Sequence, residues 1–301
     1  MRDAYEGAFS AAKVKAGDKY LGGYIGYEDG RALHTAAKVQ TWTRGLNNLA
    51  RVAEMKPQAH YRCLTSFALH WSTYYQRTVV ISTDELNPLE EAVRLTSIPS
   101  ITGQTTALTD SERKMLELPA RKGGLGILNV SSTAEPNYKT AQKATSHLSG
   151  ALIGKWKWSI TDHLSKFAAA RAAHRKLTDG RAEVFAKVLL AQEGPDSLPL
   201  PTKRAFKRAY EHHTSGWLTA VPLREQGLAL SADEFRDGLA LRYGWEPANA
   251  SRLCNGCNVP LTMEHAQKCE VGPYRIKRHD GLKELLANCL KQATTEHSVN
   301  A

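Results

Sequence analysis

Cys254, Cys257, His265 and Cys269 are the residues whose types and spacing most directly imply chemistry in this chain. As intervals they read C-x2-C-x7-H-x3-C. Zinc takes four thiolate or imidazole ligands in a tetrahedron, and a Cys-x2-Cys turn offers two thiolates from one tight loop. Gly256 is expected to let that turn fold back so that both sulfurs face one point. His265 and Cys269 are one helical turn apart, so a helix would project both from one face. With all four ligands drawn from protein, no coordination position stays open, and the metal would be structural rather than catalytic. Glu264 could orient the other imidazole nitrogen. The bland alternative is four incidental residues in a tail. Cysteine is scarce elsewhere, with Cys63 standing alone, which favours the metal. Cys289 falls on the apolar spacing Leu282, Leu285, Leu286, Cys289, Leu290 and is expected in a core.

Five cysteines in 301 residues are too few for a disulfide scaffold and fit a reducing, intracellular compartment, nucleus or cytoplasm. No apolar run approaches the roughly 20 residues of a membrane-spanning helix, and the first residues lack the apolar stretch of a secretion signal. The chain carries 40 Lys and Arg against 30 Asp and Glu, a net charge of +10. An excess of that size implies polyanionic partners, RNA or DNA before an acidic membrane. Residues 101–180 hold 12 basic against 6 acidic side chains, so more than half of the excess lies there. Lys139, Lys143, Arg171, Arg175 and Lys176 belong to the densest stretch, and Lys203, Arg204, Lys207 and Arg208 form a second cluster. Between them, Lys155-Trp156-Lys157-Trp158 alternates cations with aromatics, a composition suited to phosphates and stacked bases. A tryptophan pair packed into a helix junction explains that run equally well.

The elements that must position these residues are mostly helical. Lys19 to Tyr27 alternates Tyr and Ile with Gly and runs into Glu28-Asp29-Gly30, which reads as a short hairpin closed by an Asp-Gly turn. Apolar spacing predicts helices over 35–53, 57–75 and 85–95, the last stopped before Pro99. Thr109 with Glu112, and Ser231 with Glu234, have capping-box spacing and should open two more. Long helices are expected over 138–152 and 160–177, and Gly194 to Pro201 is the clearest break. Gly123-Gly124-Leu125-Gly126 lacks the context of a phosphate-binding loop. His212-His213 and Asp162-His163 have no nucleophile nearby in sequence and are read as surface or packing residues.

Several segments together resemble the downstream half of a non-LTR, LINE-like retroelement reverse transcriptase. Tyr20-Leu21-Gly22-Gly23-Tyr24-Ile25-Gly26 is similar to the family's primer-grip segment, and Lys38 to Val79 to its thumb. Leu118 to Ile127, reading LPARKGGLGI, resembles its "LP…GGLGI" signature. Gly216 to Leu223 and Phe235 to Trp245 resemble the stretch before its terminal zinc knuckle, which Cys254, Cys257, His265 and Cys269 match. The resemblance covers nearly the whole chain in order. It implies a mainly α fold with a short N-terminal β-hairpin, helical thumb-like and connection segments, and a small C-terminal zinc-knuckle module. The divisions would be a primer-grip-like hairpin (1–33), a thumb-like region (34–130), a basic connection (131–200) and a helical region with the knuckle (201–301). It further implies that the knuckle engages template RNA or target DNA.

One departure bears on activity. Polymerisation needs paired carboxylates holding two metal ions, and in this family they lie upstream of the primer grip. This sequence has no adjacent Asp-Asp, and only Asp3, Glu6 and Asp18 precede Tyr20. The expectation is a nucleic-acid-holding fragment without polymerase chemistry, with Mg²⁺ relevant only if an upstream palm supplies the acids. The rival readings are an active polymerase using unrecognised acids, Asp18 among them, and a zinc-stabilised interaction module without nucleic-acid affinity.

Overall fold

The computed structural model describes residues 15–211, 215–247, 253–262, 265, 268–271 and 274–298. Two antiparallel strands come first, β1 (Gly17–Tyr20) and β2 (Gly23–Gly26), paired from Gly17↔Gly26 to Tyr20↔Gly23. Leu21 and Gly22 close the hairpin at φ 46° and 83°, the pair of positive angles that matches a two-residue turn to strand twist. The turn expected at Asp29-Gly30 is therefore not there. Those residues lie in the first turn of α1 (Glu28–Ala53), where Glu28 and Asp29 suit the positive helix end. A Cβ on Gly30 would fall 1.9 Å from the Tyr24 hydroxyl, so this glycine makes room for the hairpin against the helix.

The expected helix over 57–75 is two. α2 (Pro57–Ser66) stops at Phe67, a 3-10 turn spans Ala68–His70, and α3 (Trp71–Thr78) resumes. The break lets each half meet its own neighbour: the Tyr61 hydroxyl donates to the Leu125 carbonyl at 2.8 Å, and Gln76 Nε2 to the Val130 carbonyl at 2.9 Å. α4 (Thr83–Ala92) opens on a Ser82/Glu85 capping box and runs through a π-turn, Val93–Ser97, into α5 (Ile98–Thr102). Pro99 does not stop the chain, because in the first turn of α5 its missing N–H is not needed.

α6 (Asp110–Glu117) begins at the expected Thr109/Glu112 box. α7 (Val130–Leu152) and α8 (Ile160–Ala191) then form the largest antiparallel pair. α8 runs past the expected end at Leu177, through Gly180, because tertiary partners hold its second half. Arg121 pairs with Asp179 at 2.5 Å, and Lys122 with Glu183 at 2.8 Å. Lys122 and the Tyr210 hydroxyl together hold the Glu183 carboxyl down at about 2. α9 (Leu200–Glu211), the short α10 (Gly216–Thr219), α11 (Ala232–Tyr243) and α12 (Tyr274–Ser298) complete the order. The protein is mainly helical, with one short N-terminal hairpin and a Cys/His cluster before the last helix. No described helix is long and apolar enough to cross a membrane.

A single apolar cluster runs from Val39 to Trp245 and draws on residues either side of 130 and of 200. Its hub is the glycine-punctuated stretch after α6. A Cβ on Gly124 would meet the Leu118 carbonyl at 2.0 Å, and Gly123, at φ 86°, lies against Phe206. The carbonyls of this stretch are consumed internally: the Arg242 guanidinium donates to Ala120 at 3.2 Å, and that of Arg113 to Ile127 at 2.8 Å. Arg113 also forms a buried ion pair with Glu90 at 2.7 Å. A segment so occupied is structural, in keeping with the absence of phosphate-loop context in its sequence.

Two expected outcomes follow from this packing. His60 is 1% exposed, its Nε2 has no partner among the described residues, and burial pushes its pKa down to about 4. The ring folds neutral, whereas in the unfolded chain it takes up a proton near pH 6.5. Stability from this group is therefore full above pH 6.5 and lost as pH falls toward 4, about 3 kcal/mol in all. Urea unfolding at pH 7 and pH 4.5 should show that loss in the wild type and most of it gone in His60→Gln; equal losses in both would sink the assignment. At α11, the Ser231 hydroxyl accepts from the Glu234 N–H at 3.2 Å, and Glu234 returns the contact to the Ser231 N–H at 2.8 Å. Ser231→Ala should cost about 1 kcal/mol by denaturant midpoint at unchanged slope.

Candidate functional site

The Cys/His cluster is assembled by two small devices. A bridge between Leu253 and Pro260 and the Cys254 N–H donating to Val259 at 2.9 Å pinch residues 254–259 into a knuckle. Within it the left-handed residue is Asn258, φ 60°, not Gly256. Gly256 is needed for space instead: a Cβ there would sit 2.8 Å from the Val271 carbonyl. On the other side, the Cys269 N–H donates to the His265 carbonyl at 2.8 Å, the expected single helical turn. The Thr262 hydroxyl accepts from the His265 N–H at 3.0 Å and fixes where that turn begins.

The donor atoms of Cys254, Cys257, His265 and Cys269 all lie within 4.8 Å of one another, and the group could hold a metal ion. Cys254 Sγ is 3.7 Å and Cys257 Sγ 3.9 Å from Cys269 Sγ. Tetrahedral bonds of about 2.3 Å would set sulfurs roughly 3.8 Å apart, so the cluster already has the dimensions of a four-ligand site. His265 presents Nε2 to Cys257 Sγ at 3.1 Å. Backbone N–H groups of Cys257 and Gly256, then His265, pull the Cys254 thiol down to about 6. Cys254 and Cys269 are buried, Cys257 and His265 half-buried. No other group of three or more Cys, His, Asp or Glu among the described residues is spaced to hold a metal. Glu264 and the Cys289 side chain lie outside the described residues. The leucines flanking Cys289 are not core: Leu282, Leu285, Leu286 and Leu290 are 60–65% exposed, because periodicity marks an apolar stripe without supplying what covers it.

The basic residues fall into two groups rather than one. Lys139, Lys143, Arg171, Arg175 and Lys176 lie on the α7–α8 pair, whose register is pinned by the Thr140 hydroxyl and His174 Nδ1 at 2.8 Å. That contact sets Lys139 and Lys143 at the level of Arg175 and Arg171. Lys139 is tied to Glu135, and Arg171 lies over the Phe167 ring at 5.6 Å. Lys143, Arg175 and Lys176 are exposed and have no ion pair among the described residues. On α9, Lys203 Nζ donates to the Gln192 carbonyl at 2.9 Å, Lys207 pairs with Glu211 at 3.9 Å, and Arg204 and Arg208 are exposed.

At the α7–α8 turn, Lys155 and Lys157 are exposed, and Trp156 and Trp158, 42% and 47% exposed, each turn one side to packing contacts. Trp156 stacks on buried His147 at 5.8 Å and 15°, and its indole N–H donates to the His147 carbonyl. Trp158 leans on the other contacts of the same ladder, His147 at 5.7 Å and His163 at 5.5 Å. Lys166, which nothing in the sequence pattern singled out, sits 4.9 Å from the Trp156 ring centre. Asp162 N–H is capped by the Ser159 hydroxyl at 3.2 Å, and His163 packs between Trp158 and Phe167, so this pair has a packing role. His212 and His213 lie outside the described residues.

Compared with protein-family models, with curated proteins and with solved structures, the chain matches none.

Proposed function

We propose that this chain is a nucleic-acid-holding part of a non-LTR retroelement reverse transcriptase, with a structural zinc in its terminal knuckle. The observation that carries the reading is the exposed cation set on the α7–α8 pair and α9, free of carboxylate partners at Lys143, Arg175, Lys176, Arg204 and Arg208 among the described residues. The ordered motifs from Tyr20-Leu21-Gly22-Gly23 through Leu118–Ile127 to the Cys/His quartet support it. Zinc suits three thiols and one imidazole with no open position, and it would lock residues 253–271 rather than react. Tyr20, Leu21 and Ile25 are exposed on the hairpin, as a primer-gripping element requires. The helices α1 to α3 take the thumb's part, and Lys155 and Lys157 contact phosphates at the turn.

Electrophoretic shift at low salt with single-stranded RNA, single-stranded DNA and duplex tests the proposal. Binding in the micromolar range or tighter is expected, and no shift with any of them would sink it. The chain should not extend a primer with Mg²⁺. Asp18, the carboxylate nearest the hairpin, is exposed on β1 and engaged by Lys15, which lowers its pKa through that hydrogen bond first. Extension abolished by Asp18→Asn would establish the rival reading of an active polymerase.

A further inference from the structure

The α7–α8 pair reaches well beyond the core that anchors it. Val130 and Ala134 enter the apolar cluster from α7, and Ala182, Ala186 and Leu189 from α8, with none of the residues between 134 and 182. From Ala134 to Leu152 this arm runs about 27 Å at helical rise. Its turn is closed on itself. The Gly154 N–H donates to the Ala151 carbonyl at 3.1 Å, and the Lys155 N–H to that of Gly150 at 2.9 Å. Gly154 sits at φ 73°, where a side chain would be strained. A Cβ on Gly150 would fall 2.0 Å from the Trp156 ring, so this glycine seats the indole against α7. His147 completes the brace, its Nε2 accepting from the Ser159 N–H at 3.3 Å. What the braced turn presents is apolar and cationic. Leu152 and Ile153, adjacent at the end of α7, are 78% and 69% exposed, and Ile160 and Leu164 at the start of α8 are exposed as well. Lys155 and Lys157 lie between them, both exposed. Asp162 is the one acid between Lys143 and Arg171.

Apolar side chains held out on a braced turn, in a positive field, fit a partner that is both apolar and anionic. Two surfaces have that chemistry, an acidic lipid bilayer and the end of a base-paired stack. The run of charge decides between them. Cations continue down the arm, with Arg175 and Lys176 about 23 Å along α8 from its start at Ile160. A bilayer touched at the turn leaves them well beyond the Debye length of about 10 Å at 0.1 M salt. A nucleic-acid strand running along the arm meets them. We propose that the α7–α8 turn is a wedge for duplex–single-strand junctions. Leu152 and Ile153 stand against the last base pair, Lys155 and Lys157 hold its phosphates, and the single strand runs back along the arm. Aliphatic wedges partly unstack a base step and gain apolar contact in return. The indoles brace the turn; the aliphatic pair makes the contact. The inference rests on the nucleic-acid reading above and adds the form of nucleic acid that the arm takes.

Fluorescence anisotropy with the full chain compares three labelled probes: a duplex with a single-stranded overhang, the same duplex closed by a loop at each end, and the strand alone. The overhang probe should bind about tenfold tighter than either of the others, part of what two aliphatic side chains gain on leaving water once unstacking is offset. Leu152→Ser/Ile153→Ser, at exposed positions, should erase that preference and leave affinity for the closed duplex unchanged. Leu152→Met/Ile153→Met, still apolar, should retain it. Equal affinity for the overhang and closed probes, or a preference that survives the serine variant, overturns the proposal while the nucleic-acid reading stands. No binding of any probe removes both. Co-sedimentation with phosphatidylserine vesicles, lost in the serine variant and unaccompanied by a junction preference, overturns it in favour of a lipid surface.

Discussion

Cys254→Ser should abolish metal binding while leaving the helical core standing. Refolded with zinc, the wild type is expected to hold one ion per chain by elemental analysis, and the variant none at micromolar metal. The effect is large because a structural site of this donor set is worth about 10–16 kcal/mol of metal-linked folding at neutral pH. Cys254 is the most exacting choice: it is buried, its sulfur accepts the Gly256 N–H at 3.4 Å, and backbone N–H groups favour its thiolate. The consequence should be local. The apolar cluster ends at Trp245, ahead of the knuckle, so amide exchange should quicken across 253–271 while the main unfolding transition shifts little. Stoichiometric zinc retained by the variant would disprove the ligand assignment. A wild type that takes up no zinc would disprove the site.

Replacing Lys143, Arg175 and Lys176 together by Ala should weaken single-strand binding about 100-fold at 0.1 M salt and lower the salt slope by about 2. These three are chosen because no carboxylate holds them among the described residues, so each is free to displace a counterion from phosphate. Lys139→Ala is the internal comparison. Its ammonium is committed to Glu135, and its loss should matter much less. Trp156→Ala and Trp158→Ala separate stacking on bases from packing. Since both rings lean on His147, the substitutions should lower the melting temperature and leave affinity nearly unchanged. A salt slope that does not move in the triple variant would place the interface elsewhere.

The parts of this protein legible in its sequence are those set by local chemistry. The Thr109/Glu112 and Ser231/Glu234 boxes form as their spacing implies, because a cap needs only three residues and two hydrogen bonds. The quartet from Cys254 to Cys269 converges for the same reason, with ligands supplied in two short, self-contained turns. Features decided by distant partners were illegible. The end of α8 depends on Arg121 and Lys122, about 60 positions earlier in the chain. The break at Phe67 depends on what Tyr61 and Gln76 must reach. The hairpin turn moved from Asp29-Gly30 to Leu21-Gly22 because α1 claims the former. The Trp156/Trp158 pair was ambiguous since composition cannot say which face of a ring is already covered.

The hub around the glycine-rich stretch carries a consequence for how the chain reaches its native state. Gln58 is satisfied by the backbone of Leu228 and Leu230, Arg236 reaches back to the Ala53 carbonyl, and Trp245 donates to Glu112. These closures span 170, 172, 183 and 133 positions. Contacts so remote in sequence raise contact order and delay the rate-limiting step until the ends of large loops have met. On a ribosome, the front helices emerge with Gln58 and Glu112 in place but with their partners not yet made. Folding of the front half is therefore completed by residues 215–245, and a chain cut short of Trp245 should expose the surface that α11 is built to cover.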